Sequence, residues 1–225
     1  MTFHWLGGSI VYGDELEDRL NAYPYLVSDH FDQQCSNHAV NASSVQHMIV
    51  QFNQAEFKPG DTAFFGLTSE DRMYIPDTHF YMAANLHNDA RIDLERNKQW
   101  YKYFDGKAQR EFSIANSLDL LKAYSESKQV TAYFYNTFTE AEYNTHLVGP
   151  GDWLIPPERC LVREILHIID NEYYNLVTDD QSWIKEADWQ LQEPLVEMYI
   201  RPNHAHPNEL GHKVLADCLI DILNI

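Results

Sequence analysis

Apolar side chains recur at intervals of three and four along the stretch Leu210, Val214, Leu215, Cys218, Leu219, Ile222 and Leu223. That period predicts an amphipathic helix from residue 210 onward with one buried face. Asn208, just ahead of it, is placed to accept from the first free helical N–H groups. At the other end, residues 3–6 form a short apolar run that predicts a strand ending in Gly7-Gly8-Ser9. A helix is expected to open near Pro24, a proline suited to a first helical turn, and to run through Tyr25, Leu26 and Phe31. Residues 35–40 suggest a second strand, and 45–52 a helix that ends before the turn signal Lys58-Pro59-Gly60-Asp61. The unbroken apolar run at 62–67, TAFFGL, is the clearest buried strand. Ile114, Leu118, Leu121 and Tyr124 mark a helix over 112–128, and 130–135 (VTAYFY) the next strand.

Two stretches have no clear period. Residues 73–111 mix aromatic and polar side chains and are expected to form an insertion or lid with some helix. Residues 136–195 are interrupted by Pro150, Pro156 and Pro157, with a helix expected at 161–169 and a last strand at 197–200. The alternation of strand and helix elsewhere predicts an α/β fold with a mostly parallel sheet. In such sheets ligands bind beyond the C-terminal ends of the strands. Ser9, Asn41-Ala42, Thr68 and the turn at His206 each follow a predicted strand, so they are expected to converge on one sheet edge.

A chain of 225 residues with 44% hydrophobic and 22% charged residues suits one soluble domain, here 1–225 with the insertion inside it. The formal charge of −18 disfavours nucleic acid and anionic membrane surfaces and suits neutral or cationic substrates. Cys35, Cys160 and Cys218 are scattered and odd in number, so a disulfide framework is not expected. With no signal-like leader and no apolar run of membrane-span length, a cytoplasmic location is the expectation. The aromatic residues of 73–104 and 133–153 suit either core packing or a surface that stacks on sugars or contacts acyl groups. Asn41-Ala42-Ser43 also fits a glycosylation sequon, read as coincidence without a secretory leader.

For chemistry, the two ends of the chain stand out. Ser9 follows two glycines that permit a sharp turn, and His206 is fixed against Pro207 ahead of the last helix. A serine hydroxyl beside an imidazole base is the arrangement of nucleophilic acyl transfer. His204, His206 and His212 are the competing reading, a partial metal-ligand set with no carboxylate or cysteine to complete it. Gly7, Ser9 and Gly13 at the first end, with His206, Pro207, Asn208, Gly211 and His212 at the last, resemble the blocks of the SGNH hydrolases, also called the GDSL esterase family. Their first block reads Gly-Asp-Ser-x-x-x-Gly and their last Asp-x-x-His-Pro.

That resemblance implies a three-layer α/β/α sandwich, flavodoxin-like, with Ser9 as nucleophile and His206 as base. It implies an oxyanion hole from the N–H groups of Ser9 and Ala42 and the Thr68 hydroxyl, with no metal or organic cofactor. This chain departs from the pattern at Gly8 beside the serine, at Ala42 and Thr68 where the family has glycine and asparagine, and at Asn203 where it has the triad aspartate. Asn203 is then the residue expected to orient His206. His212 is expected to support the fold. The implied activity is hydrolysis of a small acyl ester, an O-acetylated saccharide among the possibilities. The alternative is a binding or interaction module that kept the fold and lost catalytic power.

Overall fold

The computed structural model describes residues 1–14, 16–41, 43–68, 73–75, 80–82, 107–137, 141–162 and 206–224. Its sheet is built from β1 (Thr2–Gly7), β2 (Gln34–Asn37), β3 (Thr62–Leu67) and β6 (Thr131–Asn136), all parallel, in the order β2-β1-β3-β6. Between them run the helices α1 (Ser9–Tyr12), α2 (Tyr23–His30), α3 (Val45–Gln54) and α4 (Lys107–Ser127), and α5 (Glu209–Leu223) follows. A short antiparallel hairpin, β4 (Met73–Ile75) and β5 (Phe80–Met82), stands apart from the sheet.

Parallel strands covered on both faces read as continuous apolar runs, and β3 is buried at every position. Alternate side chains then feed two separate cores. Phe3, Trp5, Phe64 and Tyr135 point to one face, where they meet Ile10 and Val11 of α1, Tyr23 and Val27 of α2, and Leu215, Ala216 and Leu219 of α5. Leu6, Ala63, Phe65, Leu67, Ala132 and Phe134 point to the other, against Val45, Met48 and Phe52 of α3 and Ile114, Leu118 and Leu121 of α4. The result is the three-layer α/β/α arrangement. Much of the aromatic content is here: Trp5 stacks on Phe64 at 4.2 Å between ring centroids, and Phe65 on Phe134 at 4.9 Å. Each such fully buried side chain contributes about 1.5–3 kcal/mol relative to exposure.

Helix ends follow their local chemistry. The Ser44 hydroxyl accepts from His47 N–H at the start of α3. The Asn208 side chain accepts from Gly211 N–H at 2.9 Å at the start of α5, as its position predicts.

Within 73–111, expected as an insertion or lid with some helix, the described residues hold the β4–β5 hairpin, whose three-residue strands are too short to show alternation, and the start of α4. Two expectations need correction. The helix expected from residue 112 already begins at Lys107. On α5, Leu210 is 40% exposed, and the buried stripe is Gly211, His212, Leu215, Ala216 and Leu219. That face packs against α2, and small residues let the two helices approach. The expected strand at 197–200 and most of the helix at 161–169 lie outside the described residues. Among the described residues no helix is long and apolar enough to cross a membrane.

Candidate active site

Ser9 is the first residue of α1, a single helical turn that follows β1 directly. It is 1% exposed, and the sharp turn expected from the two glycines is a tight strand-to-helix corner. The corner has two steric requirements. Gly7 lies so close to α1 and β3 that a Cβ would meet Val11 Cγ2 at 2.5 Å and the Gly66 carbonyl at 2.8 Å. Gly13 ends the turn in the left-handed region at φ 74°, where glycine is favoured. The matched Gly13 of the sequence pattern is therefore the C-terminal stop of the helix that carries Ser9. Backbone bonds from Tyr12 N–H to Gly8 O (2.9 Å) and from Asp14 N–H to Ser9 O (3.0 Å) close the turn. As a first-turn residue, Ser9 has no intrahelical acceptor for its own N–H.

His206 comes from the far end of the chain. Its Nε2 lies 2.9 Å from Ser9 Oγ, across 197 residues of sequence. Pro207 is buried and Asn208 caps α5, so the ring is held two residues ahead of a helix that is itself docked on α2. When Nε2 accepts from the Ser9 hydroxyl, the remaining ring proton sits on Nδ1.

His212, one turn into α5, is fully buried. It stacks on Tyr23, and its Nδ1 accepts from Tyr23 N–H at 3.3 Å, a donor that α2 cannot satisfy itself. Burial, with a smaller contribution from His206, pushes its pKa down to about 3. It is thus neutral across the physiological range and supports the packing of α5 on α2. Beside it, the Tyr23 and Tyr135 hydroxyls pair at 2.7 Å, and burial raises both phenols above their ordinary range.

The loop after β2 is stitched to the same corner. Val40 N–H donates to Gly7 O (3.1 Å), Asn37 Nδ2 to Val11 O (2.8 Å) and Asn41 Nδ2 to Asp14 Oδ2 (2.6 Å). At the end of β3, Thr68 is 2% exposed, and its hydroxyl has no hydrogen-bond partner among the described residues. A buried hydroxyl left unpaired costs about 1–3 kcal/mol, so one at a strand end on the ligand-binding side of an α/β sheet suggests a ligand donor.

Of the predicted site residues, the structure brings Ser9 and His206 into hydrogen-bond contact and sets Thr68 at the end of the neighbouring strand. Ala42 and Asn203 lie outside the described residues, as does His204. Of the three histidines read as an alternative ligand set, His206 Nε2 faces Ser9 and His212 Nδ1 faces Tyr23 N–H. Among the described residues no group of three or more His, Cys, Asp or Glu side chains is arranged to hold a metal. Gln51 and Asn37 hold the site's backbone, and the sequence reading did not single them out. For Gln51 there was a signal, a polar residue on the apolar stripe of α3 beside Met48 and Phe52.

No family model matches the chain, and no curated protein matches it. Solved structures do. A protein described as a lipolytic member of the G-D-S-L family, from Desulfitobacterium hafniense, is similar over 98% of this chain and 98% of its own, at 10% identity and a TM-score of 0.50. A member of the lipolytic G-D-S-L family from Veillonella parvula matches 100% of this chain and 98% of its own at 13% identity, with a TM-score of 0.46. A psychrotrophic esterase from Pseudoalteromonas sp. matches 99% and 96% at 11% identity, with a TM-score of 0.47. At such identities what is shared is the fold, the α/β fold of the SGNH hydrolases.

Proposed function

We propose that this chain is a serine ester hydrolase of the SGNH type, acting through an acyl-enzyme on a small acyl ester. The observation that carries the reading is the 2.9 Å contact between Ser9 Oγ and His206 Nε2. A serine is a weak nucleophile at its own pKa and needs an adjacent base to become a strong one. His206 takes the hydroxyl proton as Ser9 Oγ attacks the ester carbonyl. It then returns the proton to the departing alkoxide, which leaves as the alcohol. In the second half, His206 takes a proton from water, the hydroxide attacks the acyl carbon, and the proton returns to Ser9 as the acid is released.

Negative charge on the carbonyl oxygen is met by the N–H groups of Ser9 and Ala42 and by the Thr68 hydroxyl. The unpaired state of that hydroxyl supports its share in this role. Asn203 is the residue assigned to orient His206, through its carbonyl oxygen and the ring N–H. An amide there keeps orientation but supplies no charge to stabilise the imidazolium, so turnover is slow for the fold. The strongly negative chain favours uncharged esters. O-acetyl groups on saccharides are the class we assign, by analogy with the SGNH family that the sequence resembles.

The test is labelling with a fluorophosphonate probe together with hydrolysis of p-nitrophenyl acetate. Label is expected on Ser9 of the native chain and absent from Ser9→Ala, and His206→Ala should lower kcat roughly 10³-fold or more. Asn203→Asp should raise kcat and move the acidic limb of its pH profile upward. A folded chain that takes no label and turns over no ester would mean a binding module instead.

A further inference from the structure

We infer that Gln51 is a positioning residue that fixes the nucleophile corner and the oxyanion loop relative to each other, an inference that rests on the hydrolase reading above. Its side-chain amide is 2% exposed and makes three hydrogen bonds. Oε1 accepts from Gly7 N–H at 2.9 Å, and Nε2 donates to Gly7 O at 3.1 Å and to Ser43 Oγ at 2.9 Å. Gly7 stands two residues before Ser9. Ser43 directly follows position 42, the backbone donor of the proposed oxyanion hole.

The reason for this clamp lies in the sheet. In a parallel ladder the N–H and C=O of one residue face the same neighbouring strand. His38 N–H donates to Trp5 O and Val40 N–H to Gly7 O, so on β1 these odd positions face β2. Yet the register of β1 with β2 ends at Trp5 and Asn37. Gly7 N–H therefore reaches the end of the sheet with no strand residue to accept from it. Buried backbone donors are almost always paired, and here α3 supplies the acceptor from its own apolar stripe. The Gln51 amide oxygen stands in for that missing acceptor, and its Nε2 adds a second donor to Gly7 O beside Val40 N–H.

The same amide has a second N–H, and this one is aimed at the other loop. Ser43 is fully buried, and its hydroxyl also contacts His47 Nδ1 at 3.2 Å and the Ser44 carbonyl at 3.2 Å. The loop carrying position 42 is thus held from beneath by α3, and α3 holds Gly7 at the same point. A single side chain sets the distance between the serine that attacks and a group assigned to receive the developing charge. Such geometry matters in the transition state far more than in substrate binding, because misplacement of about 1 Å costs about 10²-fold in rate.

The experiment uses Gln51→Met, which keeps length and fills the space but removes all three hydrogen bonds, and Ser43→Ala, which leaves the Gly7 pair intact and cuts the link to the loop. Both are measured for kcat and KM on p-nitrophenyl acetate, for the rate of fluorophosphonate labelling, and for thermal unfolding. Assays run well below each midpoint. Gln51→Met is expected to lower kcat and labelling rate about 10²-fold, and Ser43→Ala about 10-fold, with KM within about twofold in both. A purely structural residue would lower the midpoint and leave kcat per folded molecule unchanged, and that result in Gln51→Met overturns the inference. If Gln51→Met does not fold, Ser43→Ala decides: unchanged kcat there overturns it. An unaltered chain that neither hydrolyses ester nor takes label fails the hydrolase reading first, and the inference with it.

Discussion

Acidification should weaken this fold through His212 in a way that one substitution isolates. The imidazole is fully buried against Tyr23, and its Nδ1 is the acceptor for Tyr23 N–H. Protonation would place a charge in that closed space and turn the acceptor into a second donor facing a donor. The folded-state pKa therefore falls from 6.5 to about 3, burial being the main cause. For a group depressed in this way, the unfolded chain binds the proton first as pH drops. Stability is then fully present above the unfolded pKa and is lost as pH falls from 6.5 toward about 3. Within that window one proton difference costs about 1.4 kcal/mol per pH unit. Between pH 6.5 and pH 4.5 that amounts to about 3 kcal/mol, a large part of the 5–15 kcal/mol of an ordinary domain.

Other groups slope the same way. Burial lowers His4, and burial with the nearby His4 lowers His38 to about 4, while backbone and His4 hydrogen bonds outweigh burial to lower Asp61. The comparison with His212→Gln removes them, since glutamine can accept from Tyr23 N–H without titrating. Urea unfolding of both chains at pH 7, 6, 5 and 4.5 should give stability curves that converge on acidification by about 1.4 kcal/mol per unit below pH 6.5. Parallel curves would show that His212 carries no proton linkage, and that the buried-neutral account of α5 docking is wrong.

Two further outcomes are expected. Thr68→Val, nearly isosteric, should lower kcat about 10²-fold with little effect on KM, and should leave stability equal or higher because the hydroxyl it removes is unpaired. Unchanged kcat would remove Thr68 from the oxyanion hole. Gly66→Ala puts a Cβ 2.5 Å from Val11 Cγ2 and 2.8 Å from the Tyr135 hydroxyl. It should cost about 1–3 kcal/mol in thermal or urea unfolding, with part recovered in the double variant with Val11→Ala, whereas full tolerance would mean the corner is not tightly packed.

The elements that read clearly from the sequence were those whose local pattern and final environment agree. TAFFGL is apolar after its first residue because β3 is buried at every position, and Ile114, Leu118 and Leu121 keep their period because α4 meets the sheet along one stripe. The reading slipped where tertiary contacts override pattern. Leu210 is apolar yet half exposed, while Gly211, His212 and Ala216 form the contact with α2 through shape rather than hydropathy. Ser9 and His206 were legible through the blocks at the two ends, but the helical state of Ser9 was not, since a four-residue turn carries no period. Gln51 was hidden for a different reason. Its partners are backbone atoms of Gly7 and a hydroxyl eight residues earlier, and which backbone groups a sheet leaves over depends on where its strands stop.

The 197-residue separation of Ser9 from His206 also bears on how the chain is made. Synthesis from the N-terminus releases Ser9 first, and at about 5–20 residues per second His206 follows on the order of ten to forty seconds later. Throughout that interval Ser9 has no His206 beside it. On the hydrolase reading proposed above, Ser9 therefore gains its base only once α5 has packed against α2.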